Sequence, residues 1–157
     1  MPYIHLTTFI AAPVERVFNL SRSIDLHKQS MKRYSEAAVQ GTTFGLIGFG
    51  ETVTWRAKHL FKERLLKIKI TFLQSPHTFI DEQVEGDFKM LKHEHFFKPI
   101  QNGTLMIDQF RFEIKSGRLG DLFNKIYLTK YMERLLEERN TVIKEVAEGP
   151  QWKKFLQ

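Results

Sequence analysis

Residues 119–148 read LGDLFNKIYLTKYMERLLEERNTVIKEVAE, a stretch without proline whose apolar residues recur at steps of three or four. That spacing predicts one amphipathic helix with a single apolar stripe. Gly149 and Pro150 end the helix, because glycine suits a left-handed cap and proline cannot continue the hydrogen-bond ladder. At about 1.5 Å per residue, thirty residues make a helix roughly 45 Å long. Such a helix needs a broad apolar surface to pack against, and the rest of the chain must supply it.

The composition is that of a globular protein with a sizeable core. The chain has 157 residues, of which 42% are hydrophobic. No apolar run reaches the ~18 residues of a membrane span, and the N-terminal segment lacks the pattern of a secretory signal. The absence of cysteine excludes disulfides, thiol catalysis and cysteine metal sites, and the cytoplasm is the expected location. A net charge of +6 permits an anionic partner but is also ordinary for a soluble protein.

About seven strands are predicted, one of them before a pair of short helices. Residues 3–11 alternate as a strand does, and Pro13 and Ser23 then mark the starts of the two helices. The later strands are predicted at residues 35–40, 52–61, 65–74, 78–85, 89–100 and 104–114. Short turns between them indicate an antiparallel meander, wide enough to twist and curl.

The expected fold class is therefore α+β. A curved antiparallel sheet wraps around the long C-terminal helix, with two short helices after the first strand. We expect one domain over residues 1–149, followed by a tail over residues 150–157. The tail carries Trp152 and Phe155 and either docks on the body or stays loose.

The turn between the last two strands predicts which side chains face the helix. Asn102-Gly103 favours a two-residue type I′ turn, and the register that follows pairs Glu94 with Arg111 on a solvated face. The opposite, inner face then holds Leu91, His93, His95 and Phe97, across from Ile114, Phe112, Phe110 and Asp108.

A second turn, predicted at Lys62-Glu63, extends this inner face. It pairs His59, Ala57, Trp55 and Val53 with Leu66, Ile68, Ile70 and Phe72. The strand between the two hairpins has two interpretations. Across Gly86-Asp87, Lys92 would face Asp81, which sends Glu82 inward, whereas a two-residue loop at Pro76-His77 gives the opposite phase.

Polar side chains thus lie among apolar ones on the inner face, with His59, His93, His95 and Asp108 as the main examples. Burying an unpaired polar group costs on the order of 1–3 kcal/mol. These groups either hydrogen-bond to one another or face a cavity that holds water or a ligand. We favour the cavity.

Several segments together resemble the START-like, or SRPBCC, helix-grip superfamily, and in particular a bacterial subgroup of it. The segments are FIAAPVERVFNLS (9–21), GLIGFGETVTWRAKH (45–59), DEQVEGDF (81–88), KHEHFF (92–97) and YMERLLEERN (131–140). The superfamily includes START lipid-transfer domains, pollen-allergen-like proteins, polyketide cyclases and coenzyme Q-binding proteins. The resemblance implies a hollow between sheet and helix that holds an apolar small molecule, without naming the molecule.

The first functional hypothesis is accordingly a binding protein for a hydrophobic or amphipathic small molecule such as a lipid, quinone or polyketide. In such a pocket the apolar walls provide affinity, and a few polar groups orient the ligand. The predicted ligand-contacting residues are Trp55, His59, Phe72, Glu82, His93, His95, Phe97, Met106, Asp108, Phe110, Phe123 and Tyr127.

The second hypothesis is an enzyme of the cyclase or dehydratase type. It would use His93 or His95 as a base and Asp108 to orient that base. His93 and His95 also have a spacing that can bind zinc on a strand, with Asp108 or Glu82 as a third ligand. Two histidines with uncertain carboxylates are a thin set, so we expect neither a metal nor a cofactor.

The loop at residues 45–50 contains GxxGxG but opens a strand, so it is neither a dinucleotide fingerprint nor a P-loop. Its apolar tips suit a lid or a transient membrane contact, and together with the tail they suit a weaker third hypothesis, a regulatory interaction domain. The outer face of the two strands before residue 74 is basic, with Arg56, Lys58, Lys62, Arg64, Lys67 and Lys69. No aromatic residues lie between these side chains, so no nucleic-acid partner is expected. Residues 119–131 would cover the cavity, with hinges at Gly117 and Gly120. The sequence leaves the oligomeric state open.

Overall fold

The computed structural model describes residues 1–115 and 121–157, except for the side chains of residues 121–123. The strands are β1 (Tyr3–Ile10), β2 (Ala37–Gly41), β3 (Thr52–His59), β4 (Lys62–Gln74), β5 (Thr78–Glu85), β6 (Phe88–Ile100) and β7 (Gly103–Ile114). The helices are α1 (Val14–Ser21), α2 (Ile24–Ser30), α3 (Asp121–Glu148) and α4 (Lys153–Leu156), with 3₁₀ turns at Lys32–Tyr34 and Pro150–Trp152.

All strands belong to one antiparallel sheet in the order β1-β7-β6-β5-β4-β3-β2. Strands β2 to β7 form the predicted meander, and β1 joins its far edge beside β7. The sheet curves around α3, which also contacts β1, α1 and α2. The predicted α+β helix-grip architecture is confirmed.

Two groups of buried side chains make up the core. The larger lies under α1 and α2, where Phe18 meets Phe79 and Phe97 edge to face at centroid distances of 5.7 and 5.3 Å. The smaller includes Phe112 and Leu136 and lies between β6, β7 and α3. Residues of both groups border the cavity described below, so the interior between sheet and helix is only partly filled.

The C-terminal tail docks on the body. Trp152, Phe155 and Leu156 pack against the larger core cluster, and the guanidinium of Arg16 lies 4.2 Å above the Trp152 ring. Of the two arrangements that the sequence allowed, the structure has the docked one. No helix within the described residues is both long enough and apolar enough to cross a bilayer.

The β6–β7 turn differs from the prediction. Its two central residues are Gln101 and Asn102, Asn102 has a φ of +65°, and Ile100 pairs with Gly103. The type I′ turn predicted at Asn102-Gly103 is therefore wrong. Gly103 is instead the first residue of β7, where a Cβ would lie 2.3 Å from the carbonyl oxygen of Ile10. The glycine is therefore needed for the close approach of β1 to β7, and not for the turn.

The β3–β4 turn also differs, since it lies at Leu60-Phe61 rather than at Lys62-Glu63. Trp55 now pairs with Leu66 instead of Ile70. Both turns shift the register by an even number of residues. Because side chains alternate with a period of two, an even shift changes the partners but leaves every residue on its predicted face.

One irregularity does change a face. The β4–β5 register shifts between Ile70 and Phe72, which is where a bulge interrupts the alternation. Phe72 is consequently 44% exposed, whereas Leu73 packs against the core. The prediction that Phe72 faces the helix is wrong for this reason.

The phase of β5 follows the alternative that the sequence had left open. Asp81 pairs with His93, and Glu82 pairs with Lys92 and Lys69. Asp81 therefore shares the inner face with the buried His93, and Glu82 lies on the outer face among lysines. The inward orientation predicted for Glu82 is wrong.

Candidate functional site

A cavity of about 440 Å³ lies between the inner face of the sheet and α3. The walls are mostly apolar. The sheet contributes Val53, Trp55, Ile68, Ile70, Leu91 and Phe110, and the helix contributes Leu128, Met132, Leu135 and Leu136. This is the size and character of a small-molecule site.

Four polar residues that line the cavity lie together. We call them the polar floor: Asp81, His93, His95 and Arg139. His93 and His95 are 6% and 2% exposed and occupy alternate positions of β6, so both point to the inner face. Asp81 comes from the neighbouring β5, and Arg139 reaches down from α3. Side chains from three elements, β5, β6 and α3, thus come together only in the folded chain.

His93 is paired with a carboxylate behind the floor. Its Nε2 lies 2.8 Å from Oδ1 of Asp108, a β7 residue that is 0% exposed. Burial opposes ionisation of Asp108, but hydrogen bonds from His93 and His95 and the charge of Arg139 outweigh it and hold the pKa of Asp108 well below its usual range. Burial, followed by the charge of His95, lowers the pKa of His93 to about 4. His93 is therefore neutral near neutral pH, and its Nε2–H donates to the Asp108 carboxylate.

His95 lies between two carboxylates. Its Nε2 is 2.7 Å from Oδ2 of Asp81, and its Nδ1 is 3.3 Å from Oδ1 of Asp108. Burial opposes ionisation of Asp81, yet the hydrogen bond and charge of His95 leave the pKa of Asp81 below its ordinary value. Asp81 is thus a carboxylate that accepts from His95.

Ring stacking fixes the two imidazoles. His95 lies between Phe79 and His93, with centroid distances of 4.0 and 3.7 Å and interplanar angles of 17° and 30°. Phe110 closes the stack edge-on against His93 at 5.2 Å. Rings held on both faces cannot tip, so their nitrogens keep fixed directions.

Helix α3 supplies the remaining partners of Asp108. Arg139 Nη1 donates to Asp108 Oδ1 at 3.3 Å and to Asn140 Oδ1 at 2.9 Å. Asn140 Nδ2 donates to Asp108 Oδ2 at 2.7 Å and to Thr8 Oγ1 at 3.3 Å. Arg139 and Asn140 are 6% and 3% exposed. They satisfy both oxygens of a fully buried carboxylate, as such a group requires.

A second polar group lies at the other side of the cavity. His59 Nδ1 is 2.8 Å from the Tyr131 hydroxyl, and Tyr34 stacks on His59 at 4.9 Å. The Tyr34 hydroxyl donates to Glu138 on α3 at 3.1 Å. Burial lowers the pKa of His59 and raises the pKa of Tyr131, so both are neutral near neutral pH. This cluster connects the end of β3 to the helix.

The polar floor does not have the geometry of a metal centre. Ligand atoms of Asp81, His93 and His95 lie within 4.8 Å of one another. Histidine, however, binds a metal through a lone pair in the ring plane, at about 2.0–2.1 Å for zinc. The two rings are stacked 3.7 Å apart, so their lone pairs lie in separate, nearly parallel planes. Arg139 adds a positive charge 3.5 Å from His95.

Comparison with solved structures decides the fold. Over 93% of this chain and 97% of the other, the structure aligns with a START superfamily protein from Mycobacterium smegmatis, at a TM-score of 0.69 and 12% identity. The fold is the START-like helix-grip fold. The chain is also similar to the di-domain ARO/CYC StfQ from the steffimycin biosynthetic pathway, with a TM-score of 0.75 and 11% identity over 94% of this chain and 51% of that one.

A third similar structure is Ara h 8.0201, with a TM-score of 0.63 and 12% identity over 90% of this chain and 96% of the other. No protein-family model matches the sequence, and no curated protein matches it either. At these identities the likeness shows the helix-grip fold alone, so the function must be argued from the cavity.

Within this helix-grip cavity, the structure places several of the residues predicted from the sequence. Trp55, His59, His93, His95 and Phe110 all line it. Their role in ligand contact stays a prediction.

Other predicted residues lie elsewhere. Asp108 is buried behind the histidines and holds them rather than forming the wall. Phe97 and Met106 are 2% and 0% exposed and belong to the packed core under α1. Tyr127 is 53% exposed on the surface of α3. The side chain of Phe123 lies outside the described residues.

The hinge prediction at Gly117 and Gly120 also lies outside the described residues. Among the described side chains of α3, those that line the cavity run from Leu128 to Arg139, so they overlap the predicted cover at residues 119–131 only at Leu128 and Tyr131. In the glycine loop, Ile47 is buried and lines the cavity, whereas Phe49 is 69% exposed as expected.

Sequence reasoning missed Asp81, Arg139 and Asn140. For the two helix residues a signal existed, because they continue the buried stripe between Leu136 and Ile143. A charged residue and an amide on an apolar stripe are rarely buried without partners, so they indicate a polar group on the facing sheet.

Proposed function

We propose that this protein binds a hydrophobic or amphipathic small molecule in the cavity between the sheet and α3. The observation that carries the proposal is the cavity of about 440 Å³ itself, with mostly apolar walls and two groups of polar side chains, the polar floor and the His59–Tyr131 pair. In such sites apolar walls supply affinity, and a few fixed polar groups orient the ligand. StfQ, which has a similar fold, is an ARO/CYC of a biosynthetic pathway, so this fold is compatible with a small organic ligand.

The test is a titration with the neutral fluorophore N-phenylnaphthylamine, whose emission rises in apolar surroundings. We expect a saturable rise at one molecule per chain. Ala57 lines the cavity, and Ala57→Phe should weaken binding by about tenfold or more because it fills the space. Leu135→Phe on the facing helix provides a second cavity-filling variant should the first misfold.

Lys58→Phe is the matched control, since residue 58 is exposed on the outer face of the same strand. It adds the same ring outside the cavity and should leave the affinity unchanged. Native mass spectrometry of protein purified from cells adds a search for a retained ligand. Absence of both saturable binding and a retained ligand contradicts the proposal.

A cyclase or dehydratase activity is the second candidate, and one observation favours it. His93 donates its Nε2–H to Asp108 at 2.8 Å, and Nδ1 is left unprotonated, as a base that its pKa of about 4 makes weak. In this arrangement His93 is the proton acceptor and Asp108 the positioning residue. The sequence left His93 and His95 both open as the base oriented by Asp108, and the 2.8 Å contact with Asp108 favours His93.

Exchange of α-protons on a bound ketone tests this activity. With methyl octyl ketone in deuterated water, a weak base at the floor should speed exchange by about tenfold over buffer. His93→Gln keeps a donor to Asp108 but removes the base, so the acceleration should disappear. An exchange rate equal to that in buffer removes the enzymatic candidate and leaves ligand binding intact.

A further inference from the structure

The polar floor offers hydrogen-bond acceptors more readily than donors. Asp81 uses Oδ2 to accept from His95. Within the described part of the chain, no hydrogen bond reaches its Oδ1. The Asp81 side chain is 17% exposed, compared with 3% for His95, and it lines the cavity. Asp81 is thus the most exposed side chain of the floor.

His93 adds a second acceptor beside it. Because the Nε2–H of the neutral ring donates to Asp108, the remaining nitrogen, Nδ1, carries a lone pair and no proton. Asp81 and His93 are cross-strand partners, so the two acceptors come from adjacent backbone positions. A ligand whose polar end donates a hydrogen bond meets both.

Arg139 is the charged donor of the floor, and part of its hydrogen-bonding capacity is already used by protein groups. Its Nη1 bonds Asp108 and Asn140, and its Nη2 lies 3.5 Å from His95 Nδ1. Its side chain is 7% exposed, less than half the exposure of Asp81. The negative charge of Asp108, 3.3 Å from Arg139, offsets the positive charge that a ligand anion would seek.

Arg22, which lines the cavity near α1 and α2, also has hydrogen-bond partners within the protein. Arg22 donates from Nη1 to the carbonyl oxygen of Ile47 and from Nε to Asn19, both at 3.0 Å. Near it, Glu36 is paired with His27. Arg22 and Arg139 therefore both already donate to protein groups.

From this arrangement we infer that the cavity selects apolar molecules with a hydroxyl, phenol or amine head and rejects those with a carboxylate head. The inference rests on the proposed function, since it assigns the ligand class of the same cavity. Its chemistry is that of a carboxylate site: a donor head supplies a hydrogen bond to the free oxygen of Asp81, whereas a carboxylate head is repelled by the charge of Asp81.

The experiment compares para-heptylphenol with para-heptylbenzoate, which share a ring and chain and differ in the head. Both are titrated near neutral pH against wild type, Asp81→Asn and Glu82→Gln. Wild type should bind the phenol about tenfold or more tightly than the benzoate. Asp81→Asn keeps an acceptor for His95 and presents an amide donor to the cavity, so the preference should fall to about twofold or reverse.

Glu82→Gln is the matched control, because it removes one negative charge from the adjacent residue on the outer face. It should keep the wild-type preference. Equal binding of the two compounds, tighter binding of the benzoate, or failure of both while N-phenylnaphthylamine still binds overturns the inference. Failure of N-phenylnaphthylamine as well overturns the proposed function instead. Equal binding of the two compounds by wild type overturns the inference even if Asp81→Asn does not fold, whereas a wild-type preference supports it only together with the Asp81→Asn result, because any apolar cavity disfavours a charged head.

Discussion

Asn140 on α3 donates from Nδ2 to Oδ2 of Asp108 on β7 at 2.7 Å, across an interface where both side chains are almost completely buried. The contact fixes the helix to β7, which lies next to the edge strand β1. Since Asp108 in turn holds His93 at 2.8 Å, the position of the helix and the orientation of the polar floor depend on the same carboxylate.

Replacing Asn140 with alanine should destabilise the protein by about 1–3 kcal/mol, because it leaves an oxygen of a buried carboxylate without its donor. Urea unfolding measures the effect. Thr141→Ala is the control, since that exposed hydroxyl bonds only the Glu137 carbonyl oxygen of its own helix, and it should change stability by less than about 0.5 kcal/mol. Similar stabilities of the two variants would contradict the role given to Asn140.

His93 should make the folded state sensitive to acid. Its pKa is about 4 in the folded protein and 6.5 in the unfolded chain, so the unfolded chain binds more protons between these values. Stability due to this group is complete above pH 6.5 and is lost as the pH falls towards 4, by a loss on the order of 3 kcal/mol.

His93→Gln keeps the donor to Asp108 and cannot titrate, so its stability should depend less on pH across this window. Asp81 and Asp108 have lowered pKa values, and their contribution is present above their ordinary value of 3.8 and lost only at lower pH, in both proteins. Unfolding curves for wild type and variant at several pH values make the comparison. Parallel pH dependences would show that His93 does not titrate as described.

Gly103→Ala tests the correction at the β6–β7 turn. The new Cβ would lie 2.3 Å from the Ile10 carbonyl oxygen, a backbone atom that cannot move without parting β1 from β7. We expect a loss of about 2 kcal/mol or more. Gly48→Ala is the control, because its nearest neighbour is a side-chain oxygen of Glu51 at 3.4 Å, and it should cost less than about 1 kcal/mol. A tolerated Gly103→Ala would refute the close approach.

Because the interior is hollow, two similar truncations on α3 should lower the free energy of unfolding by unequal amounts. Ile143 lies in the packed core at 2% exposure, and Ile143→Ala should cost about 2–5 kcal/mol. Leu135 lines the cavity, so Leu135→Ala removes fewer packing contacts and should cost about half as much. Thermal or urea unfolding of both variants measures this. Equal costs would indicate that the cavity is filled by protein.

The fold and the inner-face histidines were predictable because they depend on period rather than on register. His93, His95 and Asp108 keep their face whichever even shift the hairpin takes. The shift of two residues nevertheless changed the contacts, since it places Asp108 opposite His95 instead of Phe97. The hydrogen bond between His93 and Asp108 could therefore be identified only from the structure.

Other features depend on interactions that a local pattern does not contain. The irregularity between Ile70 and Phe72 reverses the alternation, and no glycine or proline in that stretch signals it. The inward orientation of Asp81 depends on the length of the loop at Pro76-His77, which the sequence left open. Arg139 was visible as a charge on the apolar stripe, but its partner Asp108 is 31 residues away and could not be paired with it from spacing alone.

The central claim, that the space between sheet and helix holds an apolar ligand, is tested most directly by nuclear Overhauser contacts to bound para-heptylphenol. We predict contacts from the heptyl chain to Ile70 and Leu135, which line opposite walls of the cavity. Contacts confined to the exposed rings of Phe44 and Phe61 would place the molecule on the surface and contradict the claim.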